Sequence, residues 1–182
     1  FIGTELPLTI TQMLWVNLIM DTFAAMALSS LPPESEVMKD KPRKQTDFII
    51  NRGMAFGIFG VGLLFFALMF GLLWYFERIA GVSAKELTIF FTIFVMLQWW
   101  NLFNAKTLGS SHSAFRGFLS DKGLITVLAM ILAGQWIIVE FGGKMFRTVP
   151  LSFEDWTYII AGTSVVMIAG ELIRGIRRLA KR

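Results

Sequence analysis

Residues 15–23 read WVNLIMDTF and lie near the middle of an apolar segment, residues 8–31, that is long enough to cross a bilayer as a helix. Asp21 therefore falls where its surroundings would be hydrocarbon. A charged side chain there costs about 2.5 to 3.5 kcal/mol, so it usually faces a partner or a water-filled cavity. Asn17 precedes Asp21 by one helical turn, which puts both side chains on the same face of the helix.

This pair of polar residues has two interpretations. Calcium and similar hard cations take about six to eight oxygen ligands, amide and carboxylate oxygens included, so Asn17 and Asp21 could supply part of a cation site. Alternatively, they could form a polar patch that only hydrogen-bonds neighbouring helices, as such residues often do in membrane bundles. Spacing alone leaves both interpretations open.

The composition is that of a membrane protein. Of 182 residues, 55% are hydrophobic and 16% are charged, and the mean hydropathy is +0.63. The absence of Cys and the single His exclude a thiolate metal site and a Cys nucleophile. No Gly-rich phosphate loop is present, and the first residues do not form a signal peptide. We expect the chain to begin within a longer protein.

Five apolar segments predict an all-α fold, a polytopic bundle of five transmembrane helices that forms one membrane domain over residues 1–182. The expected spans are residues 8–31, 54–76, 84–104, 123–141 and 156–173. Glycines at 57, 60, 62 and 71 predict that the second span packs closely against another helix.

Short sequence signals mark the ends of these spans. Capping-box patterns that begin at Ser83 and Ser152 should open the third and fifth spans. The first span should end at the prolines 32–33, and the fourth at the glycines 142–143. A flexible turn is expected at residues 109–111.

The positive charges predict the orientation in the membrane. Thirteen of the 17 Lys and Arg residues fall in segments 32–53, 105–122 and 174–182, and the other four fall in 77–87 and 142–155. Positive loops stay in the cytoplasm, so residue 1 should be outside and the C-terminus inside. The last segment could bind anionic lipid, and no nucleic-acid partner is expected.

The third and fifth spans carry further polar residues. Gln98, Asn101 and Asn104 recur every three residues and form a stripe that should face the bundle interior. The stripe could join helices, line a water cavity or supply further cation oxygens. Glu171 should form an exposed, interfacial ion pair with Arg174 and Arg178, which follow on the same side of the helix, worth about 0 to 1 kcal/mol.

Two of these segments resemble a known family. Residues 12–22, QMLWVNLIMDT, followed by the prolines 32–33, resemble the sixth transmembrane helix of P-type calcium-transporting ATPases, especially the plasma-membrane type. Residues 94–105, FVMLQWWNLFNA, are similar to the eighth helix of these pumps. The chain as a whole resembles helices six to ten of a ten-helix pump.

The resemblance implies the membrane portion of an ATP-driven calcium export pump, in a plasma membrane or a bacterial inner membrane. Asn17 and Asp21 would be calcium ligands, Gln98 and Asn101 would be possible polar lining, and the sixth helix would unwind near Asp21. Calcium would be the transported ion, and ATP and magnesium would bind other parts of the parent protein. The partners would be the remaining helices, the cytoplasmic domains and the bilayer.

The resemblance also limits what this chain does alone. The Asp-Lys-Thr-Gly-Thr phosphorylation motif of these pumps is missing, so the isolated chain should be inactive. In two-calcium pumps, the positions of Met20 and Gln98 hold a ligating Thr and a ligating Glu. Their replacement implies one calcium per cycle. Two other functions remain open: a pump for sodium, potassium or manganese, or a non-transporting membrane scaffold.

Overall fold

The computed structural model describes residues 6–32, 48, 50, 52–108 and 112–180, and in them it contains five helices long and apolar enough to cross a membrane. No strand occurs in the described residues, so the predicted all-α fold of five spans is confirmed. The helices are α1 (Ile10–Ser29), α2 (Arg52–Tyr75, continued by a π-helical turn Phe76–Ala80), α3 (Ala84–Lys106), α4 (Lys122–Phe141) and α5 (Phe153–Thr163 and Val165–Ala180).

Capping boxes open three of these helices. Ser83 and Ser152 cap α3 and α5 in the predicted way. A third capping box, not predicted from the sequence, opens α1. Thr9 Oγ1 accepts a hydrogen bond from the Gln12 N–H at 3.2 Å, and Gln12 Oε1 accepts one from the Thr9 N–H at 2.8 Å. The α1 helix therefore starts two residues later than the predicted span.

Two of the predicted helix ends agree with the structure, whereas α5 continues to Ala180, beyond the predicted end at residue 173. α1 ends at Ser29, before Pro32, and α4 ends at Phe141, next to Gly142. A single helical turn, Gly143–Phe146, follows α4. The loop beyond Pro32 and the turn predicted at residues 109–111 lie outside the described residues.

α3 is the central helix of the bundle. It contacts each of the other four long helices, and 56% of its span is buried. Phe91 and Val95 of α3 are inaccessible and pack in one cluster with Val16 and Met20 of α1. α1 therefore has a defined packing face, which it turns towards α3 and α4.

α2 is much less buried than α3, with only 6% of its span buried. A methyl group added at Gly60, Gly62 or Gly71 would meet no atom within 4 Å. The prediction that the second span packs closely through its glycines is therefore wrong within the described part of the chain. α2 instead meets α3 through Met69 and Phe76, and Gly62 faces α3 only across the groove that separates the two helices.

The predicted ion pair of Glu171 and Arg174 forms, but the prediction that it is exposed is wrong. Arg174 is only 7% exposed, and its Nη2 lies 2.9 Å from Glu171 Oε1. Arg174 Nη1 donates to Asn104 Oδ1 at 3.1 Å, and Glu171 Oε1 accepts the N–H of Ala114 at 2.7 Å. The pair is drawn into the bundle because α3 and the segment after it provide these additional partners.

Candidate cation site

A π-helical turn occupies the part of α1 that carries the candidate ligands. Trp15–Met20 form this turn, and the N–H of Asp21 donates to the carbonyl of Val16, five residues back. Such turns are rare and occur frequently at functional sites. α1 is continuous through this region in the described structure, and the π turn is its only departure from α-helical geometry there. The unwinding near Asp21 that the resemblance implied stays a prediction for the intact pump.

Two adjacent rows of side chains run along α1 and differ in their surroundings. The first row is buried, with each member 6% exposed or less; it consists of Gln12, Val16, Met20 and Ala24. The second row is exposed and consists of Met13, Asn17, Asp21 and Ala25. Asn17 and Asp21 therefore face away from the packed side of α1.

The described residues provide only part of a ligand shell around this pair. No hydrogen bond or ion pair reaches the side chain of Asn17 or Asp21 within the described part of the chain. No group of three or more His, Cys, Asp or Glu residues in that part could hold a metal ion. One amide and one carboxylate supply about three oxygens at most, whereas calcium takes about six to eight. Any cation bound here needs ligands from elsewhere.

The polar stripe on α3 lines a groove of about 690 Å³ between α2 and α3, whose other lining residues are mostly apolar; the stripe residues in it are Gln98, Asn101 and Asn104. Asn104 also donates to the carbonyl of Val166 at 3.0 Å, so this residue joins α3 to α5. No hydrogen bond joins Gln98 or Asn101 to Asn17 or Asp21 in the described structure.

One buried amide, that of Gln135, was not predicted from the sequence. Gln135 is completely inaccessible near the middle of α4, where it hydrogen-bonds to α1 and α3. The signal was present, because an amide inside a span of otherwise apolar residues needs a partner. Gln135 does not face the candidate ligands, but it lies next to the helix that carries them.

The fold and the site together define a polytopic helical membrane domain with an incomplete polar site at the middle of its first span. The family model described as "Cation transporting ATPase, C-terminus" matches residues 5–176. The chain belongs to this family, and the resemblance found in the sequence is confirmed.

Curated relatives agree with this membership. The chain is 34% identical to plasma membrane calcium-transporting ATPase 3 of Homo sapiens, over 96% of the chain and 15% of the relative. It is 32% identical to plasma membrane calcium-transporting ATPase 2 of Oreochromis mossambicus, over 97% and 18%. It is 37% identical to probable calcium-transporting ATPase 8, plasma membrane-type, of Oryza sativa subsp. japonica, over 93% and 17%. The chain thus spans less than a fifth of each of these relatives.

Proposed function

We propose that this chain is the C-terminal membrane domain of an ATP-driven calcium export pump, in which Asn17 and Asp21 supply part of a single intramembrane calcium site. Calcium is assigned because the relatives are named as calcium-transporting ATPases. The other ligands come from the remaining helices of the same pump. ATP and magnesium act in its cytoplasmic domains, so this chain alone is inactive.

The observation that carries this proposal is the exposed row of α1. An unpaired carboxylate facing lipid would cost about 2.5 to 3.5 kcal/mol. α1 already packs on α3 and α4 through Val16 and Met20, so the row with Asn17 and Asp21 is available to further helices. A carboxylate and an amide with no partner inside this chain are suited to complete an oxygen site formed with those helices.

The burial of Met20 supports a single calcium site. Its thioether is 1% exposed and belongs to the cluster that joins α1 to α3, so it lies off the face of Asn17 and Asp21. Sulfur is also a poor ligand for a hard cation. Gln98 contributes a neutral amide to the groove on the α2 side of α3. We therefore expect one calcium transported per ATP, and a stoichiometry of two would contradict this part of the proposal.

The charge distribution supports the orientation in the membrane. With residue 1 outside and the C-terminus in the cytoplasm, the loop after Pro33 lies in the cytoplasm, as the positive charges favour. There it could contact the phosphorylation domain and couple phosphate chemistry to the calcium site. The domain as a whole is then a single membrane unit over residues 1–182.

Calcium-dependent phosphoenzyme formation from ATP by the full-length pump tests the proposal. Asp21→Ala should abolish the dependence on calcium, whereas Gln98→Ala should retain it. If Asp21→Ala and Asp21→Asn both behave as the unaltered pump, the pair is structural and the scaffold alternative is favoured. If sodium, potassium or manganese supports phosphorylation and calcium does not, the assignment of the ion is wrong.

A further inference from the structure

We propose that Trp15, Gly134 and Gln135 form a positioning contact that sets the rotation of α1 about its axis, and thereby holds Asn17 and Asp21 in their cation-binding orientation. This inference rests on the proposed function, because it concerns the same site. None of these three residues binds the ion. They act through the π turn that Trp15 begins.

The first part of the contact is the fit of the indole ring against α4. A Cβ atom added at Gly134 would overlap the Trp15 ring and would lie 2.9 Å from its Cζ2 atom. The ring therefore occupies the space that any other residue at position 134 would fill. Because only a glycine leaves this space, the approach of Trp15 to the α4 backbone depends on Gly134.

The second part is a hydrogen bond in the core. Trp15 Nε1 donates to Gln135 Oε1 at 3.1 Å. The Gln135 amide donates from Nε2 to Thr92 Oγ1 at 3.4 Å, and Thr92 in turn donates to the carbonyl of Thr88 at 2.8 Å. Gln135 and Thr92 are both inaccessible. Since the indole can only donate, the direction of the whole chain of hydrogen bonds is set.

These contacts join three helices at the level where the π turn begins. Trp15 belongs to α1, Gln135 to α4 and Thr92 to α3. Neighbouring residues on an α-helix are about 100° apart, so a rotation of this size would bury the row of Asn17 and Asp21 and expose the row of Val16 and Met20. Trp15 immediately precedes Val16, and its ring is held against Gly134 and Gln135 of α4. A rotation of α1 would break this contact, so the contact opposes the rotation.

The calcium concentration for half-maximal phosphoenzyme formation in the full-length pump tests the proposal, together with the maximal level at saturating calcium. Trp15→Phe keeps an aromatic ring and removes the N–H donor, and Gly134→Ala displaces the ring. Each should raise the half-maximal concentration about three- to tenfold, because a buried hydrogen bond or close contact is lost, and should leave the maximal level unchanged.

Matched controls are available in the same chain. Trp136→Phe changes a half-exposed tryptophan on α4, and Gly162→Ala adds a methyl group on α5 where no atom lies within 4 Å. Both should remain within twofold of the unaltered pump. Gln135→Leu removes the oxygen that accepts the indole N–H, so it should raise the half-maximal concentration as Trp15→Phe does. Combining it with Trp15→Phe should add little, because both remove the same hydrogen bond.

The outcomes separate this inference from the function on which it rests. If Trp15→Phe and Gly134→Ala lower only the maximal level or the yield of folded protein, the contact is merely structural and the positioning proposal is wrong. If Asp21→Ala abolishes the calcium dependence while these variants keep their affinity, the positioning proposal alone fails. If Asp21→Ala changes nothing, the proposed site itself is wrong. Should Trp15→Phe not fold, Gly134→Ala and Gln135→Leu decide the matter, because each should raise the half-maximal concentration without lowering the maximal level.

Discussion

Asn104 and Arg174 lie 70 residues apart in the chain and are joined by a hydrogen bond of 3.1 Å from Arg174 Nη1 to Asn104 Oδ1. Asn104 also donates to the carbonyl of Val166 at 3.0 Å, and Arg174 pairs with Glu171. These contacts connect the last turn of α3 to the second half of α5. Removing one partner of a buried charge strongly destabilises the folded protein.

Gly170→Ala should destabilise the protein by about 1 to 3 kcal/mol. A Cβ atom at this position would overlap the carboxamide of Asn104, which would have to leave its hydrogen bonds. Thermal unfolding in mild detergent measures the effect. Gly175→Ala on the same helix meets no atom within 4 Å and should leave the midpoint unchanged or slightly raised. Equal destabilisation by both variants would show that the overlap with Asn104 is not responsible, because helix propensity alone favours Ala over Gly.

Asn104→Ala should cost about 1 to 3 kcal/mol, because Arg174 loses an acceptor inside the bundle. Asn101→Ala is the matched control, since Asn101 belongs to the same polar stripe and lines the same groove but makes no side-chain hydrogen bond within the described part of the chain. Its effect should be below about 1 kcal/mol. Unfolding midpoints in detergent compare the two. The assignment of Asn104 as the residue that joins α3 to α5 fails if the Asn101 variant is the less stable one.

Two ion pairs of the same residue types should differ in strength. Lys106 pairs with Asp121, and their side chains are only 10% and 13% exposed. Lys85 pairs with Asp155 at 2.9 Å, but its side chain is 49% exposed. Lys106→Met should therefore destabilise by about 2 to 3 kcal/mol, and Lys85→Met by about 0 to 1 kcal/mol.

Salt provides an independent check on these pairs. The small effect of Lys85→Met should shrink further at high ionic strength, because an exposed pair is screened more than a buried one. The effect of Lys106→Met should change little. Unfolding at low and high salt gives both values, and a strong salt dependence for the Lys106 variant would contradict the burial of that pair.

Cysteine labelling can test the orientation, because the chain contains no Cys of its own. Lys144 and Leu119 are both exposed and lie at opposite ends of α4. In a full-length pump without other reactive cysteines, Lys144→Cys should react with a membrane-impermeant maleimide on intact cells. Leu119→Cys should react only after the membrane is opened. The reverse pattern would invert the topology.

Much of the architecture could be predicted from local sequence. The five spans follow from runs of apolar residues of membrane length, and the helix starts at Ser83 and Ser152 follow from capping side chains a few residues away. The family could also be predicted from the sequence, because each of its two motifs, around Asp21 and around Gln98, is a contiguous run of residues. These features depend on neighbours in the chain, so spacing and composition reveal them.

The failed predictions concern residues whose partners are distant in the chain. Glycines on α2 predicted close packing, but α2 meets α3 through Met69 and Phe76, and a groove separates Gly62 from α3. Glu171 and Arg174 have the spacing of a surface pair, and only the approach of Asn104 and Ala114 draws them into the bundle. A periodic pattern shows which residues share a face, but it does not show what that face meets.

The sequence by itself therefore determined the number of membrane helices, most of their ends, and the pairing of Asn17 with Asp21 on one face, because each depends on a local period or a capping residue. Only the tertiary structure decided that the row of Val16 and Met20 is buried while the adjacent row of Asn17 and Asp21 faces outward. The physical reason is that the rotation of α1 is set by side chains of other helices, among them Gln135 and Gly134, more than 100 residues further along the chain.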